Sequence, residues 1–189
     1  MIIKLDSDDV EAWEHWWAGN IAQYIPDSSI LIVGTGGSEL QYISWPETLM
    51  SVGAKSVEYL EAWEPYIREF ESGPFKIHHG DARNIVGIMG ENSYDVVMFL
   101  QGIEHLNVGE IAGVAQGIFS VCRKAAVMSC PWGSGYNGQG ASRGNPFETH
   151  LTKSIYPETL SMLPDWNIIT SGTKNGRNGC IWLWKVKSQ

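Results

Sequence analysis

Between residues 28 and 130 the chain alternates short apolar runs with longer stretches in which apolar residues return every three or four positions. The runs at 30–33, 56–61, 75–79, 94–100 and 125–130 have the length of strands. Four of the five are predominantly apolar, which predicts strands buried on both faces. At the N-terminus Val10, Trp13, Trp17, Ile21 and Tyr24 recur at helical spacing behind Ser7-Asp8-Asp9, predicting a capped helix over 7–25 that Pro26 ends. Further helices are predicted from Glu39 onward, over 65–71 and over 107–122. Pro46 should split the first of these and open a second short helix. Strands in alternation with helices predict a parallel sheet covered on both faces. The tail departs from that rhythm. Residues 166–171 and 180–186 are β-rich and are joined through Asn175-Gly176 and Asn178-Gly179, a hairpin signal, so the last strand should run antiparallel.

Composition narrows the picture. A chain of 189 residues is one domain's worth. Its formal charge of −8 disfavours a phosphate-backbone partner, so no nucleic acid is expected. No apolar stretch approaches the ~20 residues of a membrane span, and the N-terminus turns acidic too early for a signal peptide. Cys122, Cys130 and Cys180 form no Cys-x-x-Cys pair, which argues against a disulfide scaffold and for a reducing, cytoplasmic setting. Nine tryptophans imply aromatic walls in a core or a pocket. The loop over 131–149 contains five glycines, and loops of that length are usually functional.

The first chemical signal is Gly34-Thr35-Gly36, at the junction of the first apolar strand and the next helix. A turn without side chains lets a ligand approach the backbone and the helix N-terminus. A dinucleotide fingerprint needs a third glycine at position 39, where the residue is Glu39, and no Gly-Lys-Ser/Thr follows for a P-loop. A carboxylate there repels pyrophosphate, so a ligand with positive charge and no phosphate fits better. Glu61 closes the second strand, where a carboxylate can accept both ribose hydroxyls. Asp81, after the third strand, can accept an exocyclic amine.

The segment Tyr94-Asp95-Val96-Val97-Met98-Phe99-Leu100-Gln101-Gly102-Ile103-Glu104-His105-Leu106 resembles the fourth-strand motif of class I S-adenosylmethionine (SAM)-dependent methyltransferases. With the glycine turn, Glu61 and Asp81 it makes four junctions in the family's order, across roughly residues 28–132. The resemblance implies a doubly wound α/β/α fold with a seven-stranded, mostly parallel sheet and a C-terminal antiparallel hairpin strand. It implies one domain: an N-terminal lid helix (1–27), a cofactor-binding core (28–132), then a substrate loop and β-hairpin (133–189). It implies methyl transfer from SAM to a small-molecule acceptor, leaving S-adenosylhomocysteine (SAH). Gly34, Thr35 and Gly36 would line the methionine end of the cofactor. Glu61 would bind ribose, Ala62 and Trp63 would flank the adenine, and Asp81 and Ala82 would meet its edge. Gln101 and Gly102 would lie near the sulfonium.

Three departures matter. The family's acid two positions before the first glycine is Ile32, its third glycine is Ser38, and Gln101 stands where some relatives have the first carboxylate of a metal-binding Glu-x-x-Glu-His. A neutral amide is a poor ligand for a hard cation, so no metal is expected. Catalytic candidates are Glu104 and His105 beyond the fourth strand, and His150 after the glycine-rich loop. Trp132 is the expected substrate wall, while Trp182 and Trp184 share a face of the last strand and are expected under a helix. The departures keep open a SAM-binding protein without catalysis. An NAD-dependent oxidoreductase is disfavoured by Glu39 and by the 27 residues from Gly34 to Glu61, where about 20 are usual.

Overall fold

The computed structural model describes residues 2–4, 20–36, 39–134, 142–171 and 179–188. Its strands are β1 (Ile2–Lys4), β2 (Ser29–Val33), β3 (Ser56–Glu61), β4 (Lys76–His79), β5 (Tyr94–Phe99), β6 (Cys122–Pro131), β7 (Asn167–Ser171) and β8 (Cys180–Val186). The helices are α1 (Glu39–Ser51), α2 (Glu64–Phe70), α3 (Ile85–Met89) and α4 (Val108–Val121). The strands form one sheet in the order β1-β7-β8-β6-β5-β2-β3-β4. All are parallel except β8, which runs antiparallel between β6 and β7. The seven strands of the sequence reading are therefore present with the hairpin strand reversed. An eighth, β1, adds a three-residue edge beside β7, with Ile2 opposite Ile168.

The apolar runs serve two cores, because successive residues point to opposite faces. Leu31, Val33, Val97, Phe99 and Met128 pack on one face against Ile111, Val114 and Ile118 of α4. Ile30, Ile32, Val96, Met98 and Val127 pack on the other against Leu49 of α1 and Tyr66 and Phe70 of α2. Chain entry to α4 is fixed by Glu110, whose carboxylate accepts the Asn107 backbone N–H at 2.8 Å.

The helix expected over 7–25 falls mostly on residues outside the description, Trp13, Trp16 and Trp17 included. Its end is seen as a 3₁₀ turn, Ala22–Tyr24, with Ile21 and Ile25 fully buried in the α1/α2-side core. Pro46 does not start a second helix. It lies buried within a continuous α1, since a proline removes one backbone bond and the turns on either side keep theirs. The Asn-Gly turns at 175–178 lie outside the description, as do Ser38 and the side chain of Glu39. Among the described residues no helix is long and apolar enough to cross a membrane.

The opening of the fourth-strand motif is a clasp for the sheet. Asp95 accepts from Ser29 N (2.9 Å), Ser29 Oγ (3.0 Å) and Arg123 Nε (3.1 Å), tying β5 to β2 and β6. Burial pushes its carboxyl up, but Arg123 and the Ser29 donors outweigh it and hold the group well below the usual carboxylate range. Tyr94 Oη donates to Glu58 Oε2 at 2.7 Å, and His78 Nε2 lies 2.6 Å from the same oxygen, joining β5, β3 and β4.

Candidate functional site

The carboxyl ends of β2 to β6 open onto a cavity of about 540 Å³, closed on one side by residues 145–150 and by the start of β8. This is where open parallel sheets bind ligands, and the volume is that of a small-molecule site. Gly34, Thr35, Gly36, Glu61, Ala62, Asp81, Ala82, Gln101, Gly102, Glu104, His105 and His150 all line it. Trp63 does not. It precedes α2 and packs edge-on against Tyr66, ring centroids 4.5 Å apart.

Gly34 and Gly36 have φ of +86° and +76°, the left-handed region that glycine enters without penalty. Thr35 between them is buried. Its backbone N–H and hydroxyl donate to Glu61 Oε2 at 2.9 and 2.8 Å. Trp63 N donates to Glu61 Oε1 at 2.8 Å. Glu61 thus couples the turn after β2 to the end of β3, and Oε1, with one bond, retains acceptor capacity. Asp81 caps the 3₁₀ turn Ala82–Asn84, accepting from Arg83 N at 2.8 Å and Arg83 Nη1 at 2.9 Å. Arg83 reaches on to Glu110 of α4 at 2.9 Å, so the one arginine among the described residues lining the cavity is paired on both sides.

Beyond β5, Gln101 adopts a left-handed φ of +50°. Its backbone N (2.9 Å) and Nε2 (3.2 Å) donate to Ser129 Oγ, and Nε2 lies 3.1 Å from Cys180 Sγ. A Cβ on Gly102 would sit 2.0 Å from Cε2 of the buried Phe99 ring. Gly102→Ala should therefore lower stability by about 1–3 kcal/mol through overpacking, read as a shift in the urea midpoint at unchanged m-value. An unshifted midpoint would show that the ring yields.

Glu104 is 4% exposed, and its Oε2 meets no hydrogen-bond partner among the described residues. Burial pushes its carboxyl up to about 8. The turn is held from outside: Leu151 N (2.9 Å) and Thr152 N (3.1 Å) donate to the Glu104 carbonyl. His105 and His150 stack edge to face, centroids 5.0 Å apart. The His105 Nδ1–H points at Thr149 O, 3.4 Å away, which leaves Nε2 as the acceptor nitrogen. Burial, then the neighbouring His150, lower the His105 pKa, so the ring is neutral near pH 7. Glu104, His105 and His150 place one ligand atom each within 4.8 Å of one another, a spacing that could admit a cation. The Gln101 amide is directed to Ser129 and Cys180 instead.

Other lining residues were not identified from the sequence. Tyr66 on α2 donates its hydroxyl to Glu148 Oε1 at 2.8 Å, and burial followed by Glu148 pushes the phenol up to about 12. Arg143 pairs with Glu69 at 2.8 Å and lies over the Tyr66 ring, 5.4 Å from its centroid, so the 143–148 segment is strapped to α2. Trp182 and Trp184 both pack on the α1/α2-side core, and Trp182 also lines the cavity, whereas Trp132 packs against the α4-side core. The signal for Trp182 lay in the reversal of β8, which brings the start of that strand to the carboxyl ends of the parallel ones.

No protein-family model matches the chain, and no curated protein matches it. Solved structures do. Magnesium protoporphyrin IX methyltransferase from Synechocystis PCC 6803, with bound SAH, superposes with a TM-score of 0.59 at 16% identity, over 95% of this chain and 82% of that one. A SAM-dependent methyltransferase from Mesorhizobium loti gives 0.62 at 13%, over 95% and 99%. A protein described as a putative Zn-dependent alcohol dehydrogenase from Rhodobacter sphaeroides gives 0.56 at 11%, over 97% and 100%. The chain has the class I methyltransferase fold.

Proposed function

We propose that this protein is a SAM-dependent methyltransferase acting on a small-molecule acceptor. The observation that carries the reading is the convergence in one cavity of the glycine turn, Glu61, Asp81-Ala82, Gln101-Gly102 and the Glu104–His105–His150 cluster. The charge of the cavity supports it. Glu61, Asp81 and Glu148 line it, and Arg83, the one arginine among its described lining residues, is already paired to Asp81 and Glu110, which suits a net-positive ligand without phosphate.

When bound, SAM supplies an electrophilic methyl group on a sulfonium. Gly34, Thr35 and Gly36 hold its methionine end, Glu61 the ribose, and Ala62, Asp81 and Ala82 the adenine. Gln101 and Gly102 flank the sulfonium. Trp63 contributes through the Glu61 bond and Tyr66 packing. The chain's chemical task is to hold the acceptor in line and remove its proton. Neutral His105, its ring oriented by Thr149, is the base, with Glu104 and His150 beside it. Ile32, 4% exposed in the place of the family's acid, favours the alternative of a SAM-binding protein without catalysis.

Calorimetric titration is expected to give heat with SAM and SAH and none with NAD. No heat with SAM at millimolar concentration overturns the reading. Binding without methyl transfer to any member of an acceptor panel leaves the non-catalytic alternative.

A further inference from the structure

Among the described residues only two buried side-chain polar atoms lack a hydrogen-bond partner, and they are Oε2 of Glu104 and Oε2 of Glu148. Both residues line the same cavity. They sit on different elements, one in the turn after β5 and one in the strapped segment before β7. The two elements meet where Leu151 and Thr152 donate to the Glu104 carbonyl and where His105 faces Thr149 O. A buried carboxylate oxygen left unpaired is expensive, and a protein keeps such an atom where a ligand completes it. Glu104 carries a proton in the ligand-free protein, and a cation bound beside it draws that proton off into solvent; ionised, both oxygens only accept, so the ligand must bring donors.

We propose, building on the methyltransferase reading, that the methyl acceptor is a cationic amine seated between Glu104 and Glu148. An ammonium offers up to three N–H donors, enough for both orphan oxygens. A hydroxyl has one donor, satisfies one oxygen and, being neutral, supplies no charge that would ionise Glu104. An anionic acceptor would meet the carboxylates of Glu61, Asp81 and Glu148. The two described arginines nearest the cavity are committed elsewhere: Arg83 to Asp81 and Glu110, Arg143 to Glu69. Among the described residues no lysine lines the cavity. Phe147 and Trp182 supply aromatic surface of the kind that favours a desolvated cation.

The step balances. The ammonium gives one proton to the acid–base cluster, and the freed nitrogen lone pair forms the N–CH₃ bond. The C–S bond of SAM breaks with its electron pair left on sulfur. The products are an N-methylammonium and the neutral thioether SAH.

The test titrates the SAH-loaded protein with benzylamine, spermidine, benzyl alcohol and benzoate by calorimetry. The amines should bind at least tenfold more tightly than the alcohol, and benzoate should not bind. Glu148→Gln and Glu104→Gln, whose folding is checked by melting, should each weaken amine binding about tenfold and leave SAH affinity within twofold. Equal affinity for amine and alcohol, or glutamine variants that bind amine as the wild type does, would overturn the proposal. Micromolar binding of Mn²⁺ or Zn²⁺ abolished in both variants would overturn it too, assigning the oxygens to a metal. Failure of SAH itself to bind sinks the methyltransferase reading instead, so the two failures are distinct.

Discussion

Glu61→Ala should lower SAM affinity by more than tenfold. The carboxylate is the expected ribose acceptor, and it also accepts from Thr35 N, Thr35 Oγ and Trp63 N. Truncation leaves the buried Thr35 N–H without its partner and frees the glycine turn from β3, so ligand contact and site geometry fail together. Each tenfold loss is about 1.4 kcal/mol, of the order of one charge-assisted hydrogen bond. Two controls separate the contributions. Thr35→Val removes one hydroxyl donor and should cost less than Glu61→Ala. Glu61→Gln keeps the shape but one acceptor oxygen, and should fall between. Calorimetry reads all three, and an affinity unchanged in Glu61→Ala would mean that the ligand does not use the end of β3.

The second large effect is on stability. In the folded, ligand-free protein Glu104 titrates near 8 because burial penalises its charge, against 4.5 unperturbed. Between these values the folded state holds a proton that the unfolded chain has released. Stability therefore falls as pH rises from about 4.5 to about 8, and below 4.5 the contribution is fully present. The span corresponds to roughly 4–5 kcal/mol. Glu104→Gln removes the titration, so its unfolding free energy should exceed that of the wild type by progressively more from pH 5 to pH 8 in urea melts. Parallel pH profiles for the two proteins would show that the carboxyl is ionised in the folded state.

The features legible in the sequence are those set by neighbouring residues. Apolar runs that serve two cores gave away the strands, and the glycine turn, Glu61, Asp81 and Gln101-Gly102 mark the ends of those strands, so they share a rim once the order is known. What was not legible reaches the cavity through long-range packing. Tyr66 sits in α2 like any core aromatic, and only the crossing of the 143–148 segment brings Glu148 to its hydroxyl. Trp132 leaves the expected wall for the core, and Trp182 packs on the α1/α2-side core as expected but also lines the cavity, for the same reason. Trp132 turns toward the α4-side core, while the reversal of β8 carries Trp182 to the opening. The edge strand β1 was missed because three residues carry too little pattern, and α3 because its five residues give little more than one turn.

The position of β8 also governs when the sheet can be finished. Its residues pair with β6 on one side and β7 on the other, and β1 is attached only through β7. During synthesis β2 to β6 can close as a unit once residue 131 has left the ribosome. The first described strand, β1, pairs only with β7, and that pair joins the rest of the sheet only when β8 has threaded between β7 and β6. The sheet is thus sealed from its C-terminal end. A nascent chain stalled before residue 180 would hold the glycine turn and the Glu104 turn in place, but not Trp182 or the sulfur beside Gln101.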